Sequence, residues 1–373
     1  MNDADILIIG GGIAGLSAAA ILSSRARVTA LEAEDQVGYH SSGRSATMVH
    51  YALGDRLVRS LTLASRPFFD DPPPGFTDVP LGHRMPVLIH AREEEREALD
   101  RLDADISMFA KLERLDAGRV HELCPLLKPD ALYGIADYDG LRLDPHALLQ
   151  GNLRQLRRNG GELRAGVRVA SIERRGGIWT VSSDKGESFA APILVNAAGS
   201  WADRIAILAG VQPIGLEPKR RTIITFDAPP GIKLEGLPFA KTIGDELYFA
   251  PESGRLFASP MDEVPSEPMD AQPDDYEVAL AAFRMEERTI VEVRQIHSKW
   301  AGLRTFTPDK HPAAGFAQDA LGFFWLAGQG GFGLQTSPAM ATITASLIFG
   351  DVWPVADVSP ENLSPARFAS HDA

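Results

Sequence analysis

Four consecutive apolar residues, Ile6-Leu7-Ile8-Ile9, run into Gly10-Gly11-Gly12-Ile13-Ala14-Gly15 near the start of the chain. An unbroken apolar run this short predicts a strand buried on both faces, not an alternating, half-exposed one. Ile13 to about Leu22 predicts a helix packed on that strand, and Arg27-Val28-Thr29-Ala30-Leu31-Glu32 a second strand. The glycine- and hydroxyl-rich segment Gly38 to Ala46 reads as loop, then helix start. Helical spacing covers Arg56 to Phe69 and stops at Asp71-Pro72-Pro73-Pro74-Gly75, because proline cannot continue a helix; a domain boundary is expected there.

Downstream, Met85 to Ile89 predicts a strand, and Ala91 to Lys111 carries a charged face that reads as a solvated helix exterior without assigned function. Pro145 to Arg158 predicts a helix, Ser171 to Val181 a hairpin, and Ala191 to Asn196 a buried strand leading into Ala197-Ala198-Gly199-Ser200-Trp201. Alternating segments from about Thr222 to Phe257 and from Thr289 to His297 read as antiparallel strands of a second, sheet-based domain. The C-terminal part returns to a strand, Phe323 to Ala327, a glycine loop, and a helix from about Ser337 to Phe349. No internal repeat is evident.

The first glycines have separate tasks. Gly10 permits the tight turn, Gly12 lets backbone approach a pyrophosphate, and Gly15 lets the helix pack closely on the strand. The helix N-terminus points free N–H groups and a positive dipole end at negative charge. Glu32 ends the second strand roughly 20 residues on, where a carboxylate accepts hydrogen bonds from ribose hydroxyls; an acid there argues against a 2′-phosphate, and so against NADP.

Gly328-Gln329-Gly330-Gly331-Phe332-Gly333 formally repeats the G-x-G-x-x-G pattern. A second dinucleotide site would need another strand ending in an acid, but Gly350-Asp351-Val352-Trp353-Pro354 and an irregular tail follow the helix. A single extended cofactor, adenosine on the first motif and its other end on this loop, satisfies both, and FAD has the length. The loop and the following helix would then face the flavin pyrimidine, where the reduced ring carries negative charge.

At 373 residues the chain is long enough for two full cores. A formal charge of −13 repels polyanions, so nucleic acid is not an expected partner. The single cysteine, Cys124, excludes an internal disulfide framework and fits a reducing compartment. No apolar run reaches the roughly 18 residues that span a bilayer, so no integral membrane segment is expected and the chain reads as cytoplasmic. Histidines and cysteine never fall at metal-ligand spacings, so no metal is expected.

These segments, with Tyr39-His40-Ser41-Ser42-Gly43-Arg44-Ser45 and Asp139-Gly140-Leu141-Arg142-Leu143-Asp144-Pro145, resemble the glycine oxidase, sarcosine oxidase and D-amino-acid oxidase/dehydrogenase group of FAD enzymes over nearly the whole chain. Within that group the chain looks most like the bacterial D-arginine dehydrogenases, at Pro218-Lys219-Arg220-Arg221 and Trp300-Ala301-Gly302-Leu303-Arg304. The resemblance implies an α/β fold: a Rossmann-like, doubly wound FAD-binding domain (residues 1–75, 140–215 and 300–373) and a discontinuous α+β substrate domain (76–139 and 216–299) whose antiparallel sheet covers the flavin. It puts cofactor contacts at Gly10, Gly12, Ile13, Ala14, Gly15 and Glu32, at Ser41, Ser42, Gly43, Arg44, Ser45 and Ala46, and at Val169, Ala198, Gly199 and Trp201. Gly330, Gly331, Gly333, Leu334 and Gln335 complete them. Cys124 is remote in sequence from these motifs, so the FAD is expected to be non-covalent.

Oxidising an amine flanked by a carboxylate moves a hydride from Cα to flavin N5, which requires the carbon held in place and the amine unprotonated. An arginine fork with a tyrosine hydroxyl suits the carboxylate, and Arg304, Arg221 and Tyr248 are the candidates. An unpaired charge in the apolar Trp300 to Phe306 stretch would be costly. For Arg221 a solvated cluster with Lys219 and Arg220 competes, and for Tyr248 core packing. The resemblance puts all three at carboxylate positions. It breaks at the substrate side chain: Leu81 to Leu88 contains no acid where the D-arginine enzymes have one, so a cationic substrate loses its partner. Met48 and Leu53 replace a histidine and a tyrosine; nearby His50 and Tyr51 are candidate substitutes, or face solvent.

The expected reaction is oxidation of an amino acid, of D configuration, to the imino acid, which water hydrolyses to a 2-oxo acid and ammonia. Oxidation of a secondary amine such as sarcosine, or of a 2-hydroxy acid, is the alternative, and a non-catalytic flavoprotein the second one. Oxygen or a quinone is the electron acceptor; residue types do not choose between them.

Overall fold

The computed structural model describes residues 2–368. Its first sheet has six strands in the order Glu162–Arg164, Val28–Leu31, Ile6–Ile9, Ile193–Asn196, Phe323–Ala327 and Ala313–Phe316. All pairings but the last are parallel. The central strands are apolar at every position because both faces are covered. Ile6, Ile8, Val28, Ala30, Val195 and Phe324 pack under helices, whereas Leu7, Ile9, Leu31, Leu194, Phe323 and Trp325 pack against a four-stranded mixed layer. The helices Ile13–Leu22, Pro145–Arg158 and Gly333–Phe349 lie together on the first face, and Arg56–Asp70 packs on the last of them.

Local chemistry sets the helix ends. Asp144 accepts from Ala147 N–H at 2.9 Å and Pro145 opens the helix, where its missing donor costs nothing. Asp55 caps Arg56–Asp70 in the same way, through Val58 N–H at 3.2 Å. Gly350 closes Gly333–Phe349 in the left-handed conformation at φ 73°.

The second sheet has nine strands. Val264–Pro265, Glu217–Phe226, Arg255–Ser259, Tyr248–Glu252, Phe239–Thr242, Val87–Ala91, Tyr133–Asp137 and Glu113–Asp116 follow one another, and Ile296–Phe306 pairs with Glu217–Phe226. One face packs on the helix Asp275–Arg288 through Val278, Ala281 and Met285. The other carries Val87, Ile89, Ile223, Phe239, Tyr248 and Phe257 and gathers Met48 from the loop after the first motif.

Several boundaries depart from expectation. The strand expected at Thr289 to His297 is absent: Asp275–Arg288 is a helix, capped by Asp274, and the strand starts only at Ile296. Val278, Ala281 and Met285 carry the helical period there. Ile296–Phe306 also runs across the expected domain boundary at residue 300 without losing its partner strand. The helix expected from Ser337 begins at Gly333 and passes through Pro338. Proline cannot donate to the Leu334 carbonyl, and Ser337 Oγ does so instead at 3.0 Å. The single strand expected from Ala191 to Asn196 divides at Pro192 into Ser188–Ala191 and Ile193–Asn196, which belong to different sheets. Met85 to Ile89 shifts to Val87–Ala91, and only Arg96–Ile106 of the charged run is α-helical. The helix start after Gly38 is a 3-10 turn, Ser41–Gly43.

The packing at Gly15 yields a test. A Cβ there would stand 2.0 Å from the Gly10 carbonyl oxygen. Gly15→Ala is expected to push helix and strand apart and lower stability by about 1–3 kcal/mol, read as a fall in Tm. An unchanged Tm would show that this crossing has slack.

Candidate functional site

The first motif forms the floor of a cleft. Gly10 has φ 116°, and a Cβ on it would meet the Ala197 carbonyl oxygen at 2.3 Å, so strand end, helix start and the Ala197 loop touch through bare backbone. Glu32 Oε2 accepts from Gly11 N–H at 2.6 Å and Oε1 from Glu34 N–H at 2.9 Å. Burial raises its pKa, the two N–H donors opposing it; each oxygen keeps lone pairs for hydroxyl donors. Ser42 Oγ accepts from Ile13 N–H, at the helix N-terminus, at 2.9 Å.

The Tyr39 to Thr47 loop is clamped to the strand Ile296–Phe306. Ser41 Oγ donates to Leu303 O at 2.5 Å, Arg44 donates to the Ala301 and Ala271 carbonyls and pairs with Asp270, and Trp300 Nε1 donates to Arg44 O. From the far side Gly330 N–H donates to Thr305 O at 2.9 Å. Both glycine motifs therefore meet on one cleft, lined by Gly12, Ile13, Ala14, Ser41, Ser42, Arg44, Ser45 and Ala46 and by Gly199, Gly330, Gly331, Gly333 and Leu334.

Gly10, Gly15 and Glu32 support this lining from behind. Gly43 and Ala198 lie beside lining residues, and Trp201 turns its ring to His40 at 4.6 Å. Two expected contacts lie elsewhere. Gln335 is buried and directs Nε2 to Thr62 Oγ1 at 3.0 Å, away from the cleft, because it sits on the face of its helix that packs on Arg56–Asp70. Val169 starts a strand of the four-stranded layer and packs on that core; its neighbour Val167 is the one whose N–H reaches Glu32 O, at 2.8 Å.

Arg221, Tyr248 and Arg304 converge on the same cleft. In the antiparallel register Arg221 faces Gly302 and Lys219 faces Arg304, so the two arginines are diagonal neighbours on one sheet face, with glycine leaving room between. Arg221 is no solvated cluster member. It is buried, donates through Nε to Asp262 O at 2.7 Å, and through Nη2 to Glu263 Oε1 at 3.2 Å. Arg304 reaches the same Glu263 oxygen at 3.4 Å and lies over the Phe306 and Phe332 rings. Two cations thus share one carboxylate oxygen. Burial, then the charge of Arg221, pushes the Arg304 guanidinium down to about 10, a value that leaves it protonated at neutral pH. Gly331 presses on it: a Cβ there would stand 1.9 Å from Arg304 Nε.

His50 and Tyr51 are both buried, which removes the solvent-facing alternative. His50 lines the cleft against Phe239; burial, then Lys241, pushes its imidazole down to about 3. Tyr51 does not line it; it stands in the turn that follows the short strand Met48–Val49 and stacks on Phe109 at 6.4 Å. Unforeseen were Lys241, Gln329 and Thr305 on the cleft and Glu263 behind it. Lys241 was legible: it follows Phe239-Ala240 directly, and a charge in an apolar strand is the signal that marked Arg304. Among the described residues no His, Cys, Asp or Glu group could hold a metal, and no helix is long and apolar enough to cross a membrane.

The profile of the DAO family, described as FAD dependent oxidoreductase, matches residues 5–347. The hydrogen cyanide synthase subunit HcnC of Pseudomonas aeruginosa is 24% identical over 99% of this chain and 97% of that protein. Dithionite-reduced L-alpha-glycerophosphate oxidase from Mycoplasma pneumoniae, a structure with FAD bound, superposes with a TM-score of 0.85 at 18% identity, covering 94% of this chain and 95% of that one. Glycine oxidase from Geobacillus kaustophilus does so at 0.82 and 22%, covering 94% and 96%. At such identities these structures establish the fold. The cleft fits FAD on its own terms: backbone without Cβ atoms at both motifs, a carboxylate for ribose hydroxyls, and an orphaned buried amide donor, Gln329 Nε2, on the second loop.

Gly331→Ala tests the pressure of that loop on Arg304. The added methyl, at φ 88°, is expected to displace the guanidinium and strain the loop, lowering stability by about 1–3 kcal/mol, read as a fall in Tm. An unchanged Tm would show that the loop has room beside the arginine.

Proposed function

The chain belongs to the DAO family of FAD dependent oxidoreductases, with FAD as its cofactor, and from that premise we propose that it oxidises an amino acid of D configuration at Cα. The six-stranded sheet holds the cofactor and the nine-stranded sheet the substrate. The observation that carries the reading is the Arg221–Arg304 pair sharing one Glu263 oxygen, because its surplus positive charge and unused donors suit a substrate carboxylate. The Tyr248 hydroxyl lies on the same cleft as a third donor. The D configuration rests on the likeness of Pro218 to Arg221 and Trp300 to Arg304 to the D-amino-acid enzymes.

FAD, when bound, supplies the acceptor for the hydride that leaves Cα. Arg304 and Arg221 fix the carboxylate as a two-point fork, so the Cα–H direction is set before reaction. Phe239, Ile223 and Met48 form the apolar wall that keeps water from the carbon. The amine must arrive neutral. His50 does not take its proton, since an imidazole held near 3 stays neutral at working pH; that proton leaves to solvent. Loss of the hydride and of an N–H proton yields the imino acid, water releases the 2-oxo acid and ammonia, and the two electrons pass to oxygen or a quinone. A guanidinium side chain does not suit this cleft: among the described lining residues none is acidic.

Anaerobic mixing with D- and L-amino acids, sarcosine and 2-hydroxy acids is expected to bleach the flavin with D-amino acids. Arg304→Ala is expected to keep FAD and the fold while kcat/KM falls by roughly 30-fold to several thousandfold, since truncating a buried charge pair costs about 2–5 kcal/mol. Arg304→Lys should rescue part of it, because an ammonium cannot make the planar fork. Near-parental kcat/KM in the alanine variant would remove Arg304 from the substrate site.

The cofactor is held without a covalent bond. Cys124 is fully buried in the core under the nine-stranded sheet, where burial pushes its thiol up to about 12 and leaves it unreactive. Acid precipitation is expected to release all flavin to the supernatant. Glu32→Ala is expected to lose FAD on dialysis, at a cost of about 1.5–3 kcal/mol per ribose hydrogen bond, without altering substrate order. Flavin in the pellet, or full occupancy of the variant, would contradict these two expectations.

A further inference from the structure

We propose that Lys241 and His50 form a second anion subsite in the cleft, so that the amino acid oxidised is dicarboxylic. The inference rests on the amino-acid reading above and narrows its substrate class.

Four cationic side chains line the cleft, Arg44, Arg221, Lys241 and Arg304, and among the described lining residues no aspartate or glutamate does. Three have assigned work. Arg44 is spent on Asp270 and on the Ala271 and Ala301 carbonyls that clamp the flavin loop. Arg221 and Arg304 share Glu263 and need one carboxylate between them. Lys241 remains.

Its place in the sheet is unusual for a lysine. Lys241 lies opposite Tyr248 in the antiparallel register and two residues from Phe239, so all three share the face that looks into the cleft. Its side chain is only 4% exposed, whereas its partner, the Asp245 carboxylate, is 68% exposed. The other contact of Nζ is the Thr242 carbonyl, at 3.3 Å. An ammonium buried at such cost with its counter-charge out in water gains from a second anion approaching through the cleft.

His50 is the independent observation. It is 1% exposed, lines the cleft with its ring 5.6 Å from Phe239, and neither ring nitrogen has a hydrogen-bond partner among the described residues. A buried imidazole with both bonds unmade is costly, and a ligand that accepts from it recovers that cost. Held neutral beside Lys241, it keeps one N–H to donate. One ammonium and one neutral N–H make a carboxylate site, and the apolar side chains of Phe239, Ile223 and Met48 on the same cleft suit a short methylene chain. A cationic or purely aliphatic side chain satisfies neither group.

The test uses the FAD-loaded enzyme and anaerobic flavin reduction by D-aspartate, D-glutamate, N-carboxymethyl amino acids, D-alanine, D-leucine and glycerol 3-phosphate. The dicarboxylic compounds are expected to exceed D-alanine in kcat/KM by about 10- to 100-fold, carried by KM. In Lys241→Gln, at equal flavin content, that ratio should collapse towards one, and Lys241→Arg should restore most of it. Equal reduction by neutral and dicarboxylic amino acids in the parent enzyme, or an unchanged ratio in Lys241→Gln, overturns the subsite and leaves the amino-acid reading standing. Reduction by glycerol 3-phosphate and by no amino acid overturns both readings and gives the second anion to a phosphate.

Discussion

The antiparallel pairing of Glu217–Phe226 with Ile296–Phe306 is the contact on which the site depends. Those strands supply Arg221 and Arg304 on one face, and their register makes the two guanidinium groups diagonal neighbours with Gly302 between. The same Ile296–Phe306 strand receives the flavin loop through Leu303 and Ala301 and the second glycine loop through Thr305. One extended segment thus registers both glycine motifs against the arginines. A slip of one residue would turn Arg304 to the opposite face of the sheet, so substrate and cofactor geometry stand or fall together.

Charge is distributed against the composition. The chain carries a formal −13, yet the described lining of the cleft contains cations and no carboxylates. The acids that balance them, Glu263, Asp245 and Asp270, sit outside the lining and at least partly in water. Buried cations whose paired acids lie outside the lining and partly in water leave a positive field in the cleft that favours anions there. Burial first, and then the neighbouring Arg221, push the Arg304 guanidinium down. An anionic ligand opposes that push, which links substrate charge to the stability of the site as well as to affinity.

Short-range constraints were legible in the chain. Ile6–Ile9 and Ile13–Leu22 stand where the apolar run and glycines put them, and the crossings at Gly10 and Gly15 leave no space for a Cβ. Pro145–Arg158 and Phe323–Ala327 match for similar reasons, a capped proline start and an apolar run between turns. Errors fell where a local signal was answered from afar or overlooked. Pro338 stays inside a helix because Ser337 supplies the missing donor, and Pro192 divides a strand because its two halves pair in different sheets. The period of Val278, Ala281 and Met285 was there to be seen beneath a heavily charged sequence.

By itself the sequence determined the cofactor class, since strand, glycines, helix and Glu32 lie within one βαβ unit whose geometry is local. It also marked Arg304, because a charge in an apolar strand announces a buried partner. Only the tertiary structure decided that Arg221 is buried beside it, that both share one Glu263 oxygen, that Gln335 turns away, and that His50 and Lys241 look into the same cleft. These are pairings between residues as much as 273 positions apart. Their energy depends on burial and on which oxygen each donor meets, and neither quantity is defined until the sheets are packed.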